Sequence, residues 1–528
     1  MKGIKYILAL FSMAYALSSC DSALETIPTD RLSSDVFWQT NNDARLASNA
    51  CYDKLLNFDP TLFFECLSDI GHRNYYSNDW SVMEKGTADA QATIFYDIWK
   101  SLYQGIRACN NYMANVDKIE STDQAELDIY TAEVRTLRAF FYSYLVELYG
   151  DAPLVTTPIT IAESKELTRT PASEIFAFID KELEAAAAVL PLKQSEVGRV
   201  TKGAALAIKA RTALYNGNYE VAAKAAKDIM DSGVYSLYPE YSKLFSYDAE
   251  NGCEVLFDKQ YVKDQYSNQA MSLFGVRSLS QGGLNIAPTR TLVDAYEMKN
   301  GKLITEAGSG YDPRNPYTSR DPRLGFTVYV PGCTLPNGNI YNPLPGSGTS
   351  DDYTQYLAST TGFGYAKYIN AEDIATPSNC GINLIYIRYA EVLLIYAEAK
   401  IEMNNIDSSV LDAINQIRRR SDVDMPPIPD GLSQAEMRKK VRHERLVELA
   451  LEGQRYFDIK RWKIGEEVCN TPILCISYVD DKGELIYAQD AVNPKRWNSR
   501  EYYWAIPYNE ILMNPNLSQN TGWSSTAQ

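Results

Sequence analysis

Apolar residues recur at steps of three and four through both ends of the chain, a period that predicts helices. The pattern places them over Asp35 to Phe58, Ala90 to Ile119 and Ala125 to Tyr149. The last of these stops at Gly150, with Pro153 just beyond, as helix ends prefer. Pro171 opens a further helix to about Leu190, because proline suits a first helical turn.

Two stretches read as helix pairs. Lys202 to Asn216 and Tyr219 to Ser232 flank the turn Asn216-Gly217-Asn218. Ala210, Gly217, Tyr219, Ala222 and Ala226 sit where a tetratricopeptide unit wants small or aromatic residues. Further on, Ile387, Ala390, Leu394, Ala397 and Ile401 form one apolar stripe. Asn404 and Asn405 make the turn, and Ser409 to Ser421 returns. Helices over Ser433 to Leu451 and Gln454 to Lys463 continue this framework.

The middle of the chain, Leu237 to Gly381, loses the helical period and fills with Gly, Pro, Tyr, Asn and Asp. Glu254 to Phe257 and Phe326 to Val330 predict short strands there, and Pro331 to Ser350 reads as loop. Loops this long are usually functional or mobile. The expected fold class is therefore mainly α, a helical body with a loop-rich region and short strands. Within one body at 35–528, the expected parts are 35–236, 237–385, 386–463 and 464–528.

The N-terminus has a different character. Lys2 and Lys5 precede an apolar run from Tyr6 to Leu17, then Ser18-Ser19-Cys20. A basic start, a short apolar core and small residues predict a secretory signal over 1–19. The run is too short to span a membrane comfortably. Leu17-Ser18-Ser19-Cys20 resembles a bacterial lipobox, in which the cysteine thiol would carry the lipid. Residues 20–34 then read as a lipidated tether.

Composition narrows the chemistry. The 528 residues carry a net charge of −16, which argues against nucleic acid as a partner. His72 and His443 are the two histidines, so triads, proton shuttles and most zinc sites lack parts. The 38 tyrosines and 7 tryptophans suit flat amphipathic contact surfaces, or simply helix packing. Cys51, Cys66, Cys109, Cys253, Cys333, Cys380, Cys469 and Cys475 are scattered, with no C-x-x-C. They predict mostly buried thiols, with one or two bridges that spacing does not assign.

Arg442, Glu444, Arg445, Glu448, Glu452, Arg455, Asp458 and Arg461 alternate in sign. Spacings of three, as in Arg455 with Asp458 and Asp458 with Arg461, predict a local framework of ion pairs rather than an active site. Tyr296 reads as framework too.

Several segments, in order, resemble the SusD/RagB outer-membrane lipoproteins of glycan-foraging Gram-negative bacteria. They are AEVRTLRAFFYSYLVELYGDAPL from Ala132, GRVTKGAALAIKARTALY from Gly198, LVDAYEMKNG from Leu292 and Asp321-Pro322-Arg323. RYAEVLLIYAEAK from Arg388, RHERLVELALEGQRYFDIKRW from Arg442 and IPYNEILMNPNLSQNTG from Ile506 complete the set. The resemblance implies four tetratricopeptide-like helix pairs in the body. It implies a non-catalytic, lipid-anchored protein at the outer-membrane surface that captures oligosaccharide for a SusC-type TonB-dependent transporter.

Sugar rings pack their C–H faces on aromatic rings, and their hydroxyls need planar donors and acceptors. The segment Asp69 to Trp80 offers both. Trp80, Tyr75 and Tyr76 are candidate platforms, and Asp69, Arg73 and Asn78 are candidate hydrogen-bonding groups. Trp80 could instead anchor the loop, and Asp69 or Arg73 could brace it. A second candidate region, Tyr261 to Asn285, holds Tyr266, Asn268 and Arg277, along with Phe274, which suits packing. A third, with Tyr353, Tyr356 and Tyr365, ranks lower and could equally face a transporter.

Two other functions stand beside glycan capture. One is a transporter subunit with no sugar site of its own. The other is a glycoside hydrolase, which needs two carboxylates about 5–10 Å apart across a cleft. No cofactor is expected. Asp-rich loops leave room for a structural calcium but show no recognisable ligand spacing.

Overall fold

The computed structural model describes residues 37–74, 79–280, 283–490 and 494–524. The signal segment, Cys20 and the tether lie outside the described residues. Ten helices of eight residues or more are described, and the short strands form four two-stranded sheets. Among the described residues no helix is long and apolar enough to cross a membrane.

Helix α1 (Asn41–Tyr52) begins at a reciprocal cap between Thr40 and Asp43. The helix expected to run on to Phe58 ends here, and Phe58–Phe63 forms a separate short helix. Next come α2 (Thr93–Asn115), α3 (Gln124–Tyr149) and α4 (Ala172–Val189). Asp123 caps α3 by accepting the Glu126 amide at 3.1 Å, and Gly150 ends it at φ +70°. Helices α5 (Lys202–Tyr215) and α6 (Tyr219–Asp231) flank the expected turn, with Gly217 at φ +75°.

After the loop-rich middle come α7 (Tyr389–Glu402), α8 (Ser408–Arg418), α9 (Gln434–Glu448) and α10 (Arg455–Trp462). From α2 to α7 each helix packs on the next, and α7 also packs on α8 and α9. The alanines of α5, among them Ala204, Ala205, Ala207 and Ala210, are fully buried and let its neighbours approach. Helix α7 differs from the one-sided stripe its sequence suggests. Every residue from Tyr389 to Ile401 is buried, so this is a central helix, and Ile387 lies in the strand before it.

The strands are β1 (Gly71–Arg73), β2 (Val255–Lys259), β3 (Ile286–Pro288), β4 (Val328–Tyr329), β5 (Gly364–Tyr365) and β6 (Leu384–Arg388). The hairpin β7 (Ile473–Val479) and β8 (Leu485–Asp490) follows. All pairings are antiparallel: β1 with β3, β2 with β6, β4 with β5 and β7 with β8. Each of the first three joins residues far apart in sequence, which is how the loop-rich middle is stitched together.

A buried charge network fastens that middle to the C-terminal helices. The Arg388 guanidinium reaches Glu254 at 2.8 Å, Glu448 at 2.7 Å and Glu452 at 2.7 Å. Arg420 joins Glu254 at 2.6 Å and Glu448 at 2.9 Å. Arg323 joins Asp321, Glu444 and Glu448, all in the interior. Charge pairs removed from water this completely hold only when every partner is supplied. The framework reading of the alternating-sign segment therefore holds, although its partners are largely distant rather than local. Arg461 does pair with Asp458 at 2.8 Å, but Arg455 turns away to Asp69. The eight cysteines expected in the mature chain carry free thiols.

Candidate functional site

Four loop segments converge around β1 and β3. Asn74, which follows β1, is the junction. Its amide donates to the Ala358 carbonyl at 2.9 Å, and its Oδ1 accepts the Thr360 amide and hydroxyl at 2.7 and 2.8 Å. Its own backbone N–H donates to Asn285 at 3.0 Å. Thr361 ties the same loop to Pro288 in β3 through its hydroxyl at 2.7 Å, and to Ile476 in β7 through its carbonyl at 2.8 Å. Asp351 accepts the Ser278 amide at 3.0 Å and draws in the segment that carries Arg277. Segments 71–74, 277–280, 283–288, 351–361 and 473–490 thus share one face.

That face is braced from below. Glu84 is buried between the His72 ring at 2.7 Å and the Lys495 ammonium, and it also accepts the Arg73 amide at 3.2 Å. Burial pushes the Glu84 carboxyl up, but His72 and Lys495 outweigh it and hold the group below its ordinary value. Around the rim, rings are presented outward. Tyr356 is 86% exposed, beside Leu357 at φ +67°. Tyr487 is 53% exposed on β8, with the Arg290 guanidinium 5.1 Å from its ring centroid. Tyr353 is half-buried, and burial, then its hydrogen bond to Tyr478, pushes its phenol up to about 12.

The sequence-predicted residues divide among several roles. Tyr75, Tyr76 and Asn78 lie outside the described residues. Trp80 sits in the short helix Asp79–Glu84, not in a loop. Its ring is half-buried, edge-on to Phe63 at 5.7 Å and Phe64 at 5.4 Å, the arrangement of a loop anchor. Both Asp69 carboxylate oxygens are held by Arg455, at 2.8 and 2.9 Å, a bidentate pair that ties the approach to β1 onto α10. Asp69 is thus placed as a brace. Arg73 is buried, donating to the Asn285 carbonyl and side-chain oxygen at 2.9 and 2.6 Å, with its guanidinium 4.7 Å from the Phe63 ring centroid.

Arg277 is half-buried on the converging face. Asn268 is buried and donates to the Ile382 carbonyl at 2.7 Å, which makes it a loop tie. Tyr266 belongs to a separate hollow against α1, where its hydroxyl lies 3.4 Å from Asp53. Phe274 and Tyr365 are fully buried packing residues. Tyr487 was missed by sequence reasoning. No local signal marked it, since its cross-strand partner Ser477 points to the same face and is buried.

Chemically, the face offers the exposed rings of Tyr356 and Tyr487, with the half-buried Arg277 and Arg290 guanidiniums nearby, on segments fixed by hydrogen bonds. Among the described residues no group of three or more His, Cys, Asp or Glu side chains is arranged to hold a metal ion.

Two family models match the chain. One, described as the SusD family, matches residues 253–523, and another, described as starch-binding associating with outer membrane, matches 38–214. A SusD-like protein of Formosa agariphila is 26% identical over 87% of this chain and 90% of its own. The crystal structure of a SusD-like carbohydrate-binding protein from Bacteroides fragilis superposes with a TM-score of 0.82 at 30% identity, covering 91% of this chain and 100% of that one. Surface glycan-binding protein A from Bacteroides thetaiotaomicron, solved in complex with laminarihexaose, gives a TM-score of 0.69 at 22% identity. It covers 91% of this chain and 100% of that one, a likeness of fold.

Proposed function

The chain belongs to the SusD/RagB family, and on that basis we propose that it captures oligosaccharide at the converging loop face and passes it to a SusC-type TonB-dependent transporter. The observation that carries the reading is the outward ring of Tyr356, on a loop that Asn74 and Thr361 lock in place, beside the exposed Tyr487 on the adjoining hairpin. Loops fixed before the ligand arrives lose little entropy on binding it. Arg277, half-buried at the edge of the same face, is a further candidate contact. The Bacteroides thetaiotaomicron protein of the same fold was solved with laminarihexaose, which supports the glycan-binding reading. The successive packing of α2 to α7 supports reading the body as tetratricopeptide-like pairs. Lipidation at Cys20 would keep the protein beside its transporter at the outer-membrane surface.

The test is retardation of the mature chain, from residue 21, in gels cast with a panel of polysaccharides, followed by calorimetry with matching oligosaccharides. The parent is expected to be retarded by one glycan class, and a Tyr356→Ala/Tyr487→Ala double variant to lose that retardation with an unchanged melting temperature. Each stack contributes about 0.5–1.5 kcal/mol beyond area burial, so the pair is worth about tenfold or more in affinity. Equal retardation of parent and variant would remove the loop face as the site. No retardation of the parent by any polysaccharide would favour a transporter subunit that binds no sugar itself. Release of shorter fragments from a bound polysaccharide would favour a hydrolase.

A further inference from the structure

A hollow of about 310 Å³ lies between the end of α1, the loop before α5 and the end of β2. This volume is within the about 300–1,000 Å³ typical of small-ligand pockets. It adjoins a second hollow of about 410 Å³ that shares Gly198, Arg199 and Asp258. Gly198 sits at φ +80°, and a Cβ there would lie 2.3 Å from the Gln260 side chain, so only glycine lets that side chain lie against the loop.

The wall carries a fixed aromatic ring. Tyr266 stacks on Tyr261 with centroids 5.5 Å apart and planes 14° from parallel, yet remains 45% exposed. Two backbone hydrogen bonds of 2.9 Å between Val262 and Tyr266 set its position. Beneath it, Lys259 is 96% buried, since only 4% of the residue is exposed. Its ammonium donates to the Leu55 carbonyl and to Asn57 Oδ1, each at 2.8 Å, and lies 5.6 Å from the Tyr266 ring centroid. Burial pulls this ammonium down to about 8. Three donors on a lysine and two acceptors supplied leave one N–H for a ligand.

Acceptors and an amide complete the wall. The Asp53 carboxylate is half exposed at the rim, where it also meets Lys54. Gln260 gives its Nε2 to Asn251 and Asp258, which leaves its carbonyl oxygen for a donor. Asn49 Oδ1 accepts from Arg199 at 3.0 Å, which leaves its NH2 as a donor. Arg199 is otherwise held by Glu133 at 2.8 Å and Glu196 at 2.6 Å. Carboxylates of Asp53, Asp258 and Glu196 line the same space, and like charges at this range repel an acidic ligand.

We propose that this hollow is a second sugar site, separate from the loop face, that takes a neutral pyranose with its C–H face on Tyr266. Its hydroxyls meet Asp53, Gln260, Asn49 and Lys259. The proposal rests on the glycan-binding reading, because an aromatic platform with mixed planar groups suits sugars above other small molecules. Two sites on one body would hold a single long chain at two points and raise avidity without new contacts at either.

The experiment is calorimetric titration of the mature chain with maltohexaose, laminarihexaose, cellohexaose and xylohexaose. It uses the parent, Tyr266→Ala, Tyr266→Phe and the Tyr356→Ala/Tyr487→Ala variant. The expected result is two sites in the parent for one hexasaccharide and, in Tyr266→Ala, one of them unchanged and the other weakened about two- to tenfold. Tyr266→Phe keeps the ring and is expected to keep both sites. Because Tyr266 is half exposed, the Ala variant is expected to unfold at the parent temperature, which calorimetry checks directly. One site that survives Tyr266→Ala and is lost in the double variant would overturn this proposal and leave the loop-face reading standing. One site lost only in Tyr266→Ala would do the reverse. No binding of any hexasaccharide by the parent would overturn both.

Discussion

Glu448 shows how much of this molecule rests on single side chains. Its carboxylate receives Arg388, Arg420 and Arg323 in the interior. Burial pushes the group up, but the three guanidiniums outweigh it and hold it far below its ordinary value of 4.5. Replacing it removes the shared acceptor and leaves buried cations short of charge, which typically costs about 3–5 kcal/mol. Glu448→Gln is expected to lower the unfolding free energy read from urea titration by that amount, and the stability of the parent to fall as acid protonates this group. The sign follows from the depressed value: the contribution is complete above about 4.5 and is lost as pH falls through the folded value. Glu65 behaves oppositely. Its carboxylate accepts the Gly453 and Gln454 amides at 2.7 and 3.0 Å at the start of α10, yet burial raises it from 4.5 to about 7. Its folded form holds the proton more tightly, so its contribution is complete below 4.5 and lost as pH rises to about 7. Glu65→Gln keeps an acceptor and carries no charge. Unfolding free energies from urea titration across pH 4.5–7 are expected to decline less in this variant than in the parent, by on the order of 2–3 kcal/mol. An identical slope in both proteins would count against burial as the cause.

At the scale of elements, close helix approach is set by small residues. Gly105 in α2 faces the Phe141 ring of α3, where a Cβ would lie 2.6 Å away. Phe141 is fully buried and has no room to withdraw. Gly105→Val is therefore expected to cost about 1–3 kcal/mol through overpacking, seen as a lower melting temperature with helical circular dichroism retained. The period of three and four, the cap at Asp123 and the stop at Gly150 made α3 readable in the sequence, because each acts within a few residues. The same holds for the pair α5 and α6. What acts over distance was not readable. Trp80 looked like a loop platform because its partners Phe63, Phe64 and Trp504 are not visible in a local window. Asp69 looked free because Arg455, which occupies both its oxygens, lies 386 residues away. The stripe in α7 gave its existence but not its central place, since only packed neighbours decide how many faces are buried. The aromatic loops were found as regions, while their division into a loop face and the Tyr266 hollow came only from strand pairing.

In the whole molecule these elements form a stable interior and a hydrogen-bonded rim with different opening costs. Helix α7 is buried on all sides and adjoins the Arg388–Glu448 network, so its amides are expected to exchange with solvent only through global unfolding. Segment 351–361 is held by hydrogen bonds with Asn74, the Pro343 carbonyl and the Ile476 amide, and its amides are expected to exchange through local opening. A glycan that binds only the native state adds RT ln(1 + [L]/Kd) to the cost of global unfolding, about 2.7 kcal/mol at one hundred times Kd. Amides of α7 should then slow about a hundredfold. Segment 351–361 slows as well only if its opening breaks the site. The exposed short helix Ile161–Ser164, which lines neither proposed site, should not slow, because it opens with the ligand in place. Hydrogen-exchange mass spectrometry with and without the glycan that retards the protein reads all three at once. Slowing of 351–361 and of β8 identifies the loop face as the capture surface. Slowing confined to 258–266 would move that role to the Tyr266 hollow. Slowing of α7 alone would mean that neither surface carries the ligand, and the sugar contacts would have to be sought elsewhere on the body.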